Sequence, residues 1–140
     1  MDKKLSKFAG CLIGTAVGDS LGARREGSSE FVEIADLAPR YTENTAMTIA
    51  VAESLAECRD FHYWHMAELF LKKYEQEPWR RYGHTITRVF RLMRNGKLGF
   101  GMIDRDLYAE GSYGNGAAMR VAPVGLMYHD DPRMLRDIAY

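Results

Sequence analysis

An excess of charge of either sign is missing from this sequence: lysine plus arginine and aspartate plus glutamate each number 19. With no net field to draw in a polyanion, binding to nucleic acid or to an anionic membrane is disfavoured. Cysteine is scarce as well. Cys11 and Cys58 are the two present, each on the apolar side of a helical pattern, so a disulfide framework is not expected and a cytoplasmic setting fits. No apolar run approaches the ~18 to 20 residues that a membrane-spanning helix requires. Phe8 to Val17 behind Met1-Asp-Lys-Lys imitates a signal peptide, and Phe8-Ala-Gly-Cys11 imitates a lipoprotein box. That box must come after an apolar region, and Leu5-Ser-Lys is all that stands before it, so export is not expected. Period-two alternation is wanting too, apart from Phe31 to Ile34 as one short strand. The histidines lack metal spacing. His62 and His65 sit among aromatics as surface or core-edge residues, and His84 and His129 stand alone, so no zinc site is expected. Phe61, Tyr63 and Trp64 read as packing groups.

What is present is helical periodicity. At 140 residues and 46% hydrophobic, the chain has material for one globular core, a single domain over 1–140. Leu5, Phe8, Ala9, Leu12, Ile13, Ala16 and Val17 recur at steps of three and four, which predicts a helix that buries one face. Gly10, Gly14, Gly18 and Gly22 form a second ridge without side chains, at a cost of up to ~1 kcal/mol for each interior glycine. A tight helix crossing explains Gly10 and Gly14, while Gly18 and Gly22 read as bends that present Asp19. A second helix carries Met47, Ala50, Val51, Ser54, Leu55 and Cys58 and is entered from Thr42 to Asn44. Asp60 is the expected cap of a third, which runs to about Tyr74 with Met66, Leu69 and Phe70 inward; Pro78 breaks the helical pattern after it. Ile86, Val89, Phe90 and Met93 mark a fourth, closed by Asn95-Gly96 as a left-handed cap. A fifth begins near Asn115 and is kinked or starts afresh at Pro123. Asp131-Pro132 opens a last amphipathic helix that runs to Tyr140 with no stop signal.

Two segments carry chemistry. Thr42, Glu43, Asn44 and Thr45 offer a hydroxyl, a carboxylate, an amide oxygen and a second hydroxyl in succession, hard donors suited to Mg2+. The same residue types cap helices, so capping competes with cation binding here. Ser112-Tyr-Gly-Asn-Gly-Ala-Ala-Met-Arg120 is a glycine-broken loop leading into small residues, where backbone N–H groups at Gly116 to Ala118 would face an anion such as a diphosphate. Asn-Gly is equally a common turn. Arg120 pairs either with a phosphate or with an internal acid. Glu26, in Gly22-Ala-Arg-Arg-Glu-Gly27, is either a carboxylate aimed into the same cavity or a solvated loop acid.

Gly10-Cys-Leu-Ile-Gly-Thr-Ala-Val-Gly-Asp-Ser-Leu-Gly-Ala23, Tyr41-Thr-Glu-Asn-Thr-Ala-Met47, Arg81-Tyr-Gly-His-Thr85 and Gly111-Ser-Tyr-Gly-Asn-Gly-Ala-Ala-Met-Arg-Val-Ala-Pro-Val-Gly125 resemble, in the same order, the successive motifs of the ADP-ribosylglycohydrolase family. That resemblance covers nearly the whole chain. It implies an all-α orthogonal helical bundle, incomplete at its carboxyl end, with a binuclear Mg2+ or Mn2+ centre. The implied reaction removes ADP-ribose from a modified protein side chain or a small acceptor, with metal-positioned water and carboxylate help. By position, the resemblance makes Thr42, Glu43 and Asn44 metal ligands and Glu26 the catalytic acid. It makes Ser112, Tyr113, Gly114, Asn115 and Gly116 the lining of the ADP-ribose site.

Two departures qualify the match. Where the family usually has Thr-Asp-Asp-Thr, this chain has Glu43 and Asn44, which lengthens one arm and removes one charge and so predicts weaker metal binding. The family's later Gly-x-Asp-x-Asp-Thr segment does not occur before Tyr140, so the resemblance implies a missing carboxyl-terminal half. A complementary chain or self-association would then complete the site. The alternatives are a non-catalytic ADP-ribose-binding module, for which neutral Asn44 is the relevant feature, and a degenerate interaction protein.

Overall fold

A computed structural model describes residues 2–23, 27, 29, 40–96 and 114–139. The described chain is all helical, with no strand among the described residues. Among the described residues six helices run in the order α1 (Lys3–Gly22), α2 (Glu43–Cys58), α3 (Tyr63–Gln76), α4 (His84–Arg94), α5 (Ala122–Met127) and α6 (Pro132–Ala139), with a 3-10 turn at Ala118–Arg120 before α5. The expected strand at Phe31 to Ile34 lies outside the described residues.

The second helix is the hub. It packs most extensively on α3 and also meets α1, α5 and the 3-10 turn, while α4 leans on α3 and α6 on α5. Met47, Ala50, Val51 and Leu55 of α2 meet Met66, Leu69 and Phe70 of α3, Phe90 of α4, and Val124 and Tyr128. These are the apolar positions that the three-and-four spacing selects. Phe90 is held among Tyr74 and Tyr82, with ring centroids at 5.1 and 6.0 Å.

Several helix ends are set by their own residues. Thr42, in extended conformation, caps α2 through its side chain, and Asn95 with left-handed Gly96 (φ 63°) ends α4. Asp131 caps α6, with Oδ1 accepting from the N–H groups of Arg133 and Met134, each at 3.1 Å. Pro123 stands in the first turn of α5, where a missing N–H costs nothing, so the chain starts afresh there. The helix expected near Asn115 is a three-residue 3-10 turn.

Three expectations are corrected. Asp60 does not cap α3: the His62 ring accepts from the N–H of His65 at 3.2 Å. Asp60 instead accepts from the Tyr128 hydroxyl and the N–H of Phe61, both at 2.7 Å. Gly18 and Gly22 are not bends, because helical bonding continues to the Ala23 N–H, which reaches the Asp19 carbonyl at 2.9 Å. Among the described residues the glycine ridge is not a tight crossing either: a Cβ added at Gly10, Gly14, Gly18 or Gly22 would meet none of their atoms within 4 Å. No residue of α1 is fully buried, and Ile13 is 63% exposed. The helix thus rests on α2 and α5 by one half-buried face and leaves Leu5, Ile13 and Val17 in the open.

Candidate functional site

The amino terminus of α2 is held from two sides. From α1, the Asp19 carboxylate reaches across to it. Its Oδ1 accepts from the Thr42 hydroxyl at 2.6 Å, and its Oδ2 accepts from the Thr42 N–H at 2.7 Å, the Thr45 hydroxyl at 2.7 Å and the Thr45 N–H at 3.2 Å. From the α3–α4 connection, the Arg80 carbonyl accepts the Glu43 N–H at 2.7 Å. The Arg80 guanidinium stacks over the Tyr41 ring at 3.6 Å and donates to the Tyr41 carbonyl at 2.9 Å. Glu77 fixes that guanidinium with two bonds, at 2.6 and 3.0 Å, and accepts from the Tyr41 hydroxyl at 3.3 Å. A charge-assisted fork of this kind orients as well as binds. Arg80 holds the Glu77 carboxyl below its ordinary pKa, and Glu77 in return raises that of Arg80. The Arg81 guanidinium donates to the Ala23 carbonyl, tying the end of α1 to the same connection from a left-handed backbone (φ 64°).

Capping is observed at this entrance. The Thr42 hydroxyl accepts the Asn44 N–H at 3.3 Å, the capping bond, and its own proton goes to Asp19. Thr45, grouped by sequence with the oxygen donors, is 4% exposed and spends its hydroxyl on Asp19. Asn44 differs from both. Its Oδ1 is buried and accepts no hydrogen bond, a condition that costs about 1–3 kcal/mol unless something electropositive sits there. That orphaned oxygen beside a threonine oxygen and a carboxylate fits a hard cation. Among the described residues no three His, Cys, Asp or Glu side chains gather, so any ion here would rest on a mixed set with Glu43 as its one acid.

Tyr82 stands close by. Burial first, then the charges of Glu77 and Glu43, push its phenol up to about 12, and its hydroxyl is buried without a partner. A cavity of about 370 Å³ opens beside Thr42, lined by Ala23, Arg40, Tyr41, Trp79, Arg80 and Arg81. Gly114, Asn115 and Gly116 are not among its lining residues.

The glycine loop is joined to α2 farther along. The Thr48 hydroxyl lies 2.7 Å from the Asn44 carbonyl and 2.8 Å from that of Met119, so one proton is shared between α2 and the 3-10 turn. This contact brings the turn after Gly114, Asn115 and Gly116 within one helical turn of Asn44. Gly114 and Asn115 are exposed and Gly116 is half-buried. Arg120 lies over the Phe70 ring at 5.1 Å. Glu26, Ser112 and Tyr113 lie outside the described residues.

Sequence reasoning missed two things here. Asp19 was visible only as an acid at the end of an apolar helix, and the Glu77–Arg80–Tyr41 clamp spans 39 positions. A third arrangement looks catalytic and is not. Ser54 Oγ is 3.0 Å from His65 Nδ1, and His65 Nε2 is 3.1 Å from Glu57. This has the connectivity of a nucleophile relay, yet Ser54 is 0% exposed and sealed under α3, so the set ties α2 to α3.

Comparison with known proteins bears on these positions. The family model described as ADP-ribosylglycohydrolase matches residues 1–140. The chain is similar to ADP-ribosylhydrolase ARH3 of Gallus gallus, 35% identical over 89% of this chain and 41% of that protein. It is likewise similar to ADP-ribosylhydrolase ARH3 of Homo sapiens, 33% identical over 90% of this chain and 40% of that protein. An uncharacterized protein of Archaeoglobus fulgidus is 32% identical over 88% of this chain and 43% of its own. The chain therefore spans about 40% of the length of the curated relatives it matches. With the family model matched from end to end, the ordered motifs have one explanation: the chain belongs to the ADP-ribosylglycohydrolase family.

Proposed function

We propose that this chain supplies one side of a metal-dependent site that removes ADP-ribose from a modified protein side chain or small acceptor. The observation that carries it is the buried, unpartnered Asn44 Oδ1 at an α2 entrance whose backbone N–H groups are all hydrogen-bonded. Family membership supports the reaction class, and the name ADP-ribosylhydrolase borne by the relatives supports the substrate class. Thr42, Glu43 and Asn44 are the residues that would hold Mg2+ or Mn2+. A bound ion of that kind would orient water and offset negative charge during cleavage. Glu26 is assigned as the acid that takes up or delivers the proton. Ser112 to Gly116 are assigned to the ADP-ribose, with main-chain N–H groups toward its phosphates. A family member needs more oxygen ligands than three, so a complementary segment or a second copy is part of the proposal; exposed Leu5, Ile13 and Val17 on α1 support such a partner. The free, half-buried Cys11 and Cys58 support a reducing, cytoplasmic setting.

Titration calorimetry with ADP-ribose, in the presence and absence of Mg2+, tests this directly. Binding that tightens with Mg2+ is expected, as is metal-dependent release of ADP-ribose when a segment bearing the absent acidic motif is added. No ADP-ribose affinity under either condition would overturn the proposal.

A further inference from the structure

We infer that Asp19 is a positioning residue that consumes backbone N–H donors at the amino terminus of α2 and fixes the Thr42 hydroxyl so that its oxygen can only accept. The inference rests on the metal reading above and concerns how the chain prepares for a cation before one arrives. A free helix amino terminus points unpaired N–H groups outward and favours negative ligands. Here each donor of the first turn is consumed. Asp19 takes the N–H groups of Thr42 and Thr45, the Arg80 carbonyl takes that of Glu43, and the Thr42 hydroxyl takes that of Asn44.

The hydroxyls obey the same logic. A carboxylate only accepts, so the proton of the Thr42 hydroxyl, 2.6 Å from Asp19 Oδ1, must lie toward Asp19. With its proton fixed there and the Asn44 N–H on one lone pair, the Thr42 oxygen has one lone pair left and nothing to donate. Thr45 is pinned in the same way. What remains open at the entrance is acceptor capacity: the Thr42 lone pair and the orphaned Asn44 Oδ1. Such a set repels phosphate and suits a hard cation.

The test uses Asp19→Asn, which keeps size and most of the acceptor geometry but replaces one oxygen by a donor facing other donors. Thr42 side-chain couplings by NMR report its rotamer, and electron paramagnetic resonance reports Mn2+ affinity. In the unsubstituted chain Thr42 should occupy a single rotamer. In Asp19→Asn the rotamer should average and Mn2+ should bind at least about tenfold more weakly, the loss of about 1.4 kcal/mol, while helical circular dichroism is kept. Thr42→Ser should retain the affinity and Thr42→Val, which lacks both the cap and the lone pair, should lose it. A folded Asp19→Asn with a single Thr42 rotamer, or with undiminished Mn2+ affinity, overturns the inference. If the unsubstituted chain takes up no Mn2+, the metal assignment of the proposed function fails. The role of Asp19 is then decided by the rotamer comparison alone.

Discussion

Asn44→Ala separates a cation ligand from a helix-capping residue more cleanly than any other single change. In the metal-free protein the buried Asn44 Oδ1 is an acceptor without a donor, a burden of about 1–3 kcal/mol. Truncation removes it and substitutes a better helix former, by roughly 0.6 kcal/mol, against the loss of the packing made by the amide. These opposing effects leave metal-free stability within about 1 kcal/mol of the original. Mg2+ reverses the comparison. At a hundred times its dissociation constant an ion that binds only the folded state adds about 2.7 kcal/mol. For a chain of 140 residues that raises the unfolding midpoint by roughly 9 °C. If the truncation weakens the ion about tenfold, the same Mg2+ concentration adds only about 1.4 kcal/mol, or roughly 5 °C. Scanning calorimetry of both proteins over a Mg2+ series measures all four midpoints. Two outcomes refute the reasoning: equal Mg2+ shifts in the two proteins, or a metal-free loss above about 3 kcal/mol, which would mean that the oxygen holds an internal bond.

Other perturbations probe the scaffold. Phe90→Ala empties the centre of the aromatic cluster with Tyr74 and Tyr82 and should cost about 3–5 kcal/mol by urea denaturation. Tyr82→Phe deletes a buried hydroxyl that has no partner and should be neutral or stabilising by about 1 kcal/mol. Because the Tyr82 phenol is pushed up to about 12, its contribution is whole below the unfolded value of about 10 and is lost as pH rises toward 12. The substitution should flatten that alkaline limb. Tyr128→Phe removes the first cause of the low Asp60 pKa, ahead of the Phe61 N–H. Asp60 contributes fully above about 3.9 and loses its contribution as pH falls through its lower folded value, so this variant should show a weaker acid dependence over that window. Gly14→Ala places a methyl where no described residue lies within 4 Å and should stabilise the isolated chain by up to ~1 kcal/mol. Destabilisation on thermal unfolding would mean that the glycine ridge is covered.

Legibility depended on sequence separation. The helices were legible because their apolar spacing is local, and the core of Met47, Val51, Leu55, Phe70 and Phe90 comes from it directly. The entrance of α2 was legible as an oxygen-rich cap, but capping and metal binding call on the same residue types, so Thr42 to Thr45 did not separate the two. The proposed metal reading rests on the orphaned Asn44 Oδ1, and an unsatisfied atom leaves no mark in a sequence. Asp60 was misassigned because its carboxylate is claimed by Tyr128, 68 positions away, while His62 takes the cap. The glycine ridge was misread for another reason. Repetition every four residues shows that a helix has a bare stripe, and says nothing about whether a neighbour lies along it.

Position of the entrance, rather than its residue content, is what the fold adds. Asp19 comes from 23 positions upstream of Thr42 and the Tyr41–Arg80 bond spans 39, so neither hold exists in the unfolded chain. Both are charge-assisted or stacked contacts that fix orientation as well as proximity. One faces the hydroxyls and the other braces the stretch of backbone that leads into them. The consequence is that the backbone and hydroxyls of this entrance are fixed by the fold itself, and on the proposed reading the reorganisation that cation binding would require is met in folding. The Asn44 oxygen stays unsatisfied in that arrangement. The backbone beside it is held from both sides, by Asp19 at Thr42 and Thr45 and by the Arg80 carbonyl at Glu43.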